Sequence, residues 1–187
     1  MTHYQDIHIL ADPELLPQQL MSDLFGRVHK ALALEQSDSV GISFPKMKEE
    51  ARYLGACLRL HGTEAALARL QKHLGGLSSD YFLLAAVRPV PARIEGYRRF
   101  SRRQSDSSLD RLRRRKMRRE GISWEEAVEA LSENREKRLD LPFVNLRSAS
   151  TGKRFRLFIE AGSLEVESSS GKFSCYGLSP AATVPWF

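Results

Sequence analysis

At 187 residues, 42% hydrophobic and 28% charged, the chain has room for one large domain or two small ones and is too apolar to be disordered. It has no apolar run of about 18 residues that could span a membrane, and its opening MTHYQDIHIL lacks the basic and apolar regions of a secretory signal. The formal net charge is +6, from 29 basic and 23 acidic residues. Two isolated cysteines, Cys57 and Cys175, give neither a zinc spacing nor a disulfide framework, so a reducing cytoplasmic location is expected. No metal-binding, P-loop or dinucleotide motif is present, and no cofactor is indicated.

Residues 4–10 alternate as a strand does, and the region of Pro13 reads as a turn. Pro17 opens a helix to about residue 34, with Leu20, Leu24, Val28 and Leu32 on its apolar side beside Phe25 and Ala31. His29 lies at the edge of that stripe. Residues 39–44 form a short β-rich run ended by Pro45, and 54–61 alternate again. Thr63 caps a helix from 64 to about 74, closed by Gly75 and Gly76, and 81–87 form a further strand. The order β-α-β-β-α-β is the ferredoxin-like pattern. Proline, glycine and polar residues then become frequent, and a domain boundary is expected there, giving domains 1–94 and 95–187.

The second domain opens on the basic stretch 98–119, RRFSRRQSDSSLDRLRRRKMRR. It holds eleven basic residues and only two acids, Asp106 and Asp110, whereas the rest of the chain carries 18 basic and 21 acidic residues. Unpaired guanidinium groups lose their hydration in a core without compensation, so this stretch is expected to face water or a polyanion. Asp106, Ser107 and Ser108 offer helix N-caps and Gly121 a left-handed stop. On that helix Arg111, Arg115, Arg118 and Arg119 share one side at spacings of three and four, where like charges repel unless an anion intervenes. A capping box of Ser123 and Glu126 starts a second helix, 124 to about 138. Short strands follow at 143–147, 154–160, 164–167 and 173–176, with turns at Thr151-Gly152, Gly162 and Ser170-Gly171. The whole is an α+β protein: a ferredoxin-like domain, then an α+β domain with an arginine-rich helix.

Candidate chemistry is sparse. His3, His8, His61 and His73 read as structural. His29 reads either as a helix-edge histidine or, with Arg27 and Lys30 nearby to favour its neutral form, as a general base. The run Ser148 to Thr151 suits a hairpin loop, and Tyr176 suits half-buried packing. Phe155, between Arg154 and Arg156, fits base stacking and core packing equally.

Several stretches, taken together, carry a resemblance. They are His29, Arg102, Gln104, the helix 111–119, Arg147-Ser148, Phe155, and the ending Tyr176-Gly177-Leu178-Ser179 with Val184-Pro185-Trp186-Phe187. Supporting runs are Val40-Gly41-Ile42-Ser43-Phe44-Pro45, Leu139-Asp140-Leu141-Pro142-Phe143-Val144 and Arg154-Phe155-Arg156-Leu157-Phe158-Ile159. The chain resembles the CRISPR repeat-processing endoribonucleases of type I-F (Csy) systems, the pseudomonad type in particular, from its first strand to Phe187. The resemblance implies metal-independent cleavage of CRISPR precursor RNA 3′ of the repeat hairpin stem. His29 would act as the base, Ser148 would position the ribose, and Tyr176 would orient the imidazole.

The arginine helix would enter the major groove of the hairpin, Arg114, Arg115, Arg118 and Arg119 on phosphates, with Arg111 also among the RNA-binding residues. Arg102 and Gln104 would read purine edges, and Phe155 would stack beneath the last base pair. The implied partners are the crRNA and the other subunits of a crRNA-guided surveillance complex, with no membrane. A non-catalytic RNA-hairpin binder uses the same basic stripe but has no need of His29, Ser148 and Tyr176. A DNA-binding transcription factor fits less well, since no helix-turn-helix surrounds the basic helix.

Overall fold

The computed structural model describes residues 1–187 except 49, 51, 78–79, 104–108, 132–139 and 149–150, and leaves aside the side chains of 109–111. The elements, in order, are β1 (His3–Ile9), α1 (Pro17–Glu35), β2 (Gly41–Ser43), β3 (Cys57–Gly62), α2 (Glu64–His73), β4 (Phe82–Leu84), β5 (Arg88–Pro89), β6 (Gly96–Arg103), α3 (Leu109–Glu120), α4 (Trp124–Ala130), β7 (Phe143–Arg147), β8 (Arg154–Glu165) and β9 (Val184–Trp186). The chain is α+β, and none of its described helices is long and apolar enough to cross a membrane.

The first sheet runs β2-β3-β1-β4, all pairs antiparallel, with β5 added beside β1. This is the order in which a βαββαβ chain places its strands when both helices cross on one face. Alternation explains the register: Gln5, Ile7 and Ile9 of β1 are buried and join Leu24, Val28 and Leu32 of α1 and Leu67 and Leu70 of α2. Pro17 starts α1 as expected, and the Thr63 hydroxyl accepts from Ala66 N–H at 3.2 Å to cap α2.

The second sheet runs β7-β8-β6-β9. Its inward residues Phe100, Val144, Leu146, Leu157, Ile159 and Val184 belong to the same core cluster as the first sheet and its helices. Two compact units result, Met1–Arg102 with Leu141–Phe187, and Arg103–Asp140. The boundary expected between residues 94 and 95 therefore cuts through the first unit. The reason is the shared core, and also backbone hydrogen bonds that tie the last residues to the first sheet: Ile42 N–H to Gly177 O, and Phe173 N–H to Asp38 O, each 2.9 Å.

Other expectations need correcting. Residues 98–103 form β6 instead of leading into the basic helix, and not all of their charges face solvent. Arg98 donates to the Gly162 carbonyl at 2.8 Å and lies 5.3 Å from the Trp186 ring centre, while Arg99 pairs with Glu165 at 3.0 Å. Gly162 lies inside β8, which continues to Glu165, so neither the turn there nor a separate strand at 164–167 forms. The run 173–176 holds a turn, and the last strand is β9. On the basic helix itself Arg113 is withdrawn from water: it is 9% exposed, donates to Leu131 O at 3.0 Å and faces the Trp124 ring. The Ser123–Glu126 capping box forms as expected. The end expected for that second helix near 138, and the N-caps Asp106, Ser107 and Ser108, lie outside the described residues.

The polar side chains buried in the first sheet are structural. Arg59 grips both Asp6 oxygens, at 2.7 and 3.0 Å, donates to Phe187 O at 3.0 Å, and lies 4.6 and 4.1 Å from the centres of the Tyr4 and Phe187 rings, which meet each other edge to face. His61 is fully buried 2.8 Å from the Ser43 hydroxyl, and burial, aided by the Arg59 charge, lowers its pKa from 6.5 to about 3. The folded chain thus holds this ring neutral while the unfolded chain protonates it. Its contribution to stability is whole above pH 6.5 and is lost as pH falls toward 3, at about 1.4 kcal/mol per pH unit. Urea unfolding should show the wild type losing about 2 kcal/mol more between pH 7 and pH 5 than His61→Gln does. Parallel pH dependences would contradict this assignment.

Candidate active site and nucleic-acid interface

One ridge of α1 reads Ser22, Gly26, His29, Ala33, at helical spacings of three and four. Three small residues around one histidine leave a trough, and β7, β8 and the turn after Phe173 complete its walls. The resulting open cleft has a volume of about 1000 Å³ and is lined by that ridge together with Asp23, Arg27, Lys30, Arg102, Asn145, Leu146, Arg147, Ser148, Phe155 and Tyr176. The Ser22 hydroxyl joins two of the walls, donating to Gln18 O at 2.9 Å and accepting from Asn145 N–H at 3.1 Å.

His29 is half-buried at the cleft surface. Its Nδ1 lies 2.8 Å from the Cys175 carbonyl oxygen. A carbonyl only accepts, so Nδ1 carries the proton, and in the neutral ring the lone pair is on Nε2. The ring stacks on Tyr176 with centres 4.1 Å apart and planes 17° from parallel. Tyr176 stacks in turn on Phe25, and Phe25 on Phe44, both at 6.4 Å. A column of rings therefore runs from the buried core to the imidazole, which is held by packing on its face and by a hydrogen bond at its edge.

The turn that supplies both contacts is itself heavily fixed. Ser174 donates to Leu178 O from its backbone and from its hydroxyl, each at 2.9 Å, and Gly177 N–H returns to Ser174 O at 2.8 Å. Gly177 has φ +68°, and a Cβ there would lie 2.6 Å from Ile42 Cγ2. Only glycine fits both the left-handed backbone and the close approach to β2.

Across the cleft, Ser148 sits in the β7–β8 hairpin. Its hydroxyl accepts from Thr151 N–H at 3.2 Å, and Arg147 donates to Gly152 O at 3.0 Å. The exposed Arg102 guanidinium lies 5.5 Å from the Tyr176 ring centre and 5.9 Å from that of Phe155. Phe155 is half-buried against the core with a face on the cleft, so the two readings left open for it are both partly met.

The matching family model, described as CRISPR-associated protein (Cas_Csy4), covers residues 4–187. The chain belongs to the Cas_Csy4 family. It is 47% identical over 190 residues to a CRISPR-associated endonuclease Cas6/Csy4 from Pseudomonas aeruginosa (strain UCBPP-PA14), and 42% identical over 189 residues to one from Escherichia coli (strain UTI89 / UPEC); each match covers all of both chains. A solved structure titled "An RAMP protein binding different RNA substrates" aligns with 98% of this chain and 100% of its own at 12% identity, with a TM-score of only 0.38.

In this Cas_Csy4 chain the first unit brings together five residues singled out from sequence: His29, Arg102, Ser148, Phe155 and Tyr176 all line the one cleft. The second unit carries the basic helix. On α3, Arg114, Arg115, Arg118 and Arg119 are exposed at neighbouring positions; Arg119 meets Glu120 at 3.2 Å, while Arg114, Arg115 and Arg118 meet no carboxylate among the described residues. Gln104 and the Arg111 side chain lie outside the described residues. Sequence reasoning missed the Cys175 carbonyl, a backbone group that no side-chain motif reveals. It gave no role to Asn145 or Arg147, and it missed the small residues Ser22, Gly26 and Ala33 as the floor of a cleft, although the helical spacing of those three around His29 is a readable signal.

A cluster with metal-ligand chemistry exists elsewhere. Asp6, His8 and Cys57 have ligand atoms within 4.8 Å of one another. Both Asp6 oxygens are already taken by Arg59, and burial pushes the Cys57 thiol up to about 12, so the cluster is a poor match for a cation.

Replacing Gly177 with alanine should cost about 1–3 kcal/mol in urea unfolding, from the left-handed backbone and the Ile42 contact together. In that background Ile42→Ala should cost less than it does in the wild type. Strict additivity of the two substitutions would show that the turn does not rest on Ile42.

Proposed function

We propose that this protein is a metal-independent endoribonuclease that cuts CRISPR precursor RNA just 3′ of the repeat hairpin stem. The observation that carries the reading is the state of His29: Nδ1–H is committed to the Cys175 carbonyl, so Nε2 is the basic atom, in a cleft shared with Ser148, Arg102 and Phe155. The full-length matches to Cas6/Csy4 endonucleases support the same reading.

In this scheme the nucleophile belongs to the substrate. His29 Nε2 takes the proton of a ribose 2′-hydroxyl as O2′ attacks the adjacent phosphorus. The P–O5′ bond breaks, and O5′ leaves with a proton drawn from water. The products are a 2′,3′-cyclic phosphate and a 5′-hydroxyl. Ser148 holds the ribose so that O2′ lines up with the leaving oxygen, and Tyr176 keeps the imidazole in its plane. Arg102 and Gln104 read purine edges, Phe155 stacks on the terminal base pair, and Arg111, Arg114, Arg115, Arg118 and Arg119 neutralise phosphates of the stem. The protein keeps its product and joins the other subunits of a crRNA-guided complex.

Incubation of a cognate repeat hairpin with the protein in EDTA should yield an RNA ending in a 2′,3′-cyclic phosphate. Binding without cleavage would favour a non-catalytic hairpin-binding protein, and cleavage only on adding magnesium would overturn the mechanism. His29→Ala should lower the single-turnover rate by about 10² or more with hairpin affinity near wild type. Alanine at Arg115 should weaken hairpin binding and reduce the salt slope by about one, whereas an unchanged slope would remove that residue from the phosphate contacts.

A further inference from the structure

The composition of the basic helix does not dictate which of its sides packs. α3 reads LDRLRRRKMRRE, with seven cations among twelve residues and only Leu109, Leu112 and Met117 as apolar ones. Hydrophobicity gives such a helix little reason to turn one side inward in preference to another. Its burial is nevertheless one-sided. Arg113 is buried and Lys116 and Met117 are half-buried, whereas Arg114, Arg115, Arg118 and Arg119 are exposed. Arg113, Lys116, Met117 and Glu120 stand at spacings of three and four and share one face. The four exposed arginines occupy the face opposite.

Arg113 is what turns the first face inward. It is 9% exposed, donates to Leu131 O at 3.0 Å and lies 6.0 Å from the centre of the Trp124 ring. Trp124 is the first residue of α4 and Leu131 its C-cap, so one side chain reaches both ends of the helix that packs on α3. The guanidinium charge meets the negative end of the α4 dipole and the face of an indole ring. Among the described residues of the second unit, Ala127 is the one fully buried apolar side chain, so these polar contacts supply a fastening that apolar packing does not. Farther along the same face, Glu120 takes Lys116 at 2.8 Å and Arg119 at 3.2 Å.

We infer that Arg113 is a positioning residue for RNA binding: seated on Trp124 and the Leu131 carbonyl, it fixes the rotation of α3 about its own axis and thereby selects which arginines face the hairpin. The inference rests on the proposed reading that α3 binds the stem. It separates the cations of one helix into two kinds. Arg114, Arg115, Arg118 and Arg119 meet phosphates, while Arg113 touches no RNA and acts through α4. Loss of the clamp leaves the phosphate-binding charges in place but lets the helix turn, so that fewer of them are presented together.

The test uses the full chain and the cognate repeat hairpin, with a 2′-deoxyribose at the scissile nucleotide for the binding measurements. Arg113→Met keeps the aliphatic stem and removes the charge. It should weaken hairpin binding about tenfold, as expected when a charged hydrogen bond and a cation–π contact are lost together. The salt slope should stay at the wild-type value, because no phosphate contact has gone. On cleavable hairpin the single-turnover rate at saturating protein should stay within about twofold of wild type, since α3 takes no part in the proton transfer. Trp124→Ala should weaken binding similarly, Trp124→Phe should restore most of the loss, and Arg113→Met with Trp124→Ala should cost little more than either alone. A slope lowered by about one in Arg113→Met would make Arg113 a phosphate contact and overturn the inference. Wild-type affinity in Arg113→Met or in Trp124→Ala would overturn it as well, with hairpin binding left standing. Failure of the wild type to bind the hairpin would instead overturn the reading beneath it.

Discussion

The structure turns on a single hydrogen bond, from His29 Nδ1 to the Cys175 carbonyl at 2.8 Å. An imidazole on an exposed helix face can rotate and can place its proton on either nitrogen. Here a backbone acceptor removes the second freedom and the Tyr176 ring, 4.1 Å away, removes the first. Both groups come from one turn, and that turn is fastened to the first sheet through Gly177 and Ile42. The chain needs its last residues folded against its first strands before His29 has a defined orientation. That requirement explains why the two sheets share a core instead of forming separate domains.

Charge is divided by the same logic. Three guanidinium groups withdrawn onto protein partners are structural: Arg59 on Asp6 and against the Tyr4 and Phe187 rings, Arg98 on Gly162 and Trp186, Arg113 on Leu131 and Trp124. Arg114, Arg115 and Arg118 of α3, exposed and meeting no carboxylate among the described residues, stand at spacings that repel. Side chains held near one another against that repulsion are suited to a polyanion, which relieves it on binding.

Much of the first sheet was legible in the sequence because it obeys simple periods. Alternation marked β1 and β3, a 3.6-residue period opened by Pro17 marked α1, and the Thr63 cap with the Gly75-Gly76 stop marked α2. The second sheet was harder. In β6 the arginines carry a charge density that conceals a strand, and only their partners in β8 and β9 explain them. β8 runs through Gly162 because its pairing outweighs the local turn signal. The cleft residues His29, Ser148, Phe155 and Tyr176 emerged from a family resemblance spread along the whole chain. Spacing alone left each with a blander alternative, since the residues converge only through tertiary packing.

The most direct test of this account is the tautomer of His29, read from the ring nitrogen shifts of the selectively labelled protein by 15N NMR at a pH where the ring is neutral. The account predicts a protonated Nδ1 and an unprotonated Nε2, with the Nδ1 proton lost from its hydrogen-bonded position when the turn is disrupted by Gly177→Ala. A neutral ring protonated at Nε2 in the wild type would contradict it, because the atom assigned to receive the ribose proton would already hold one.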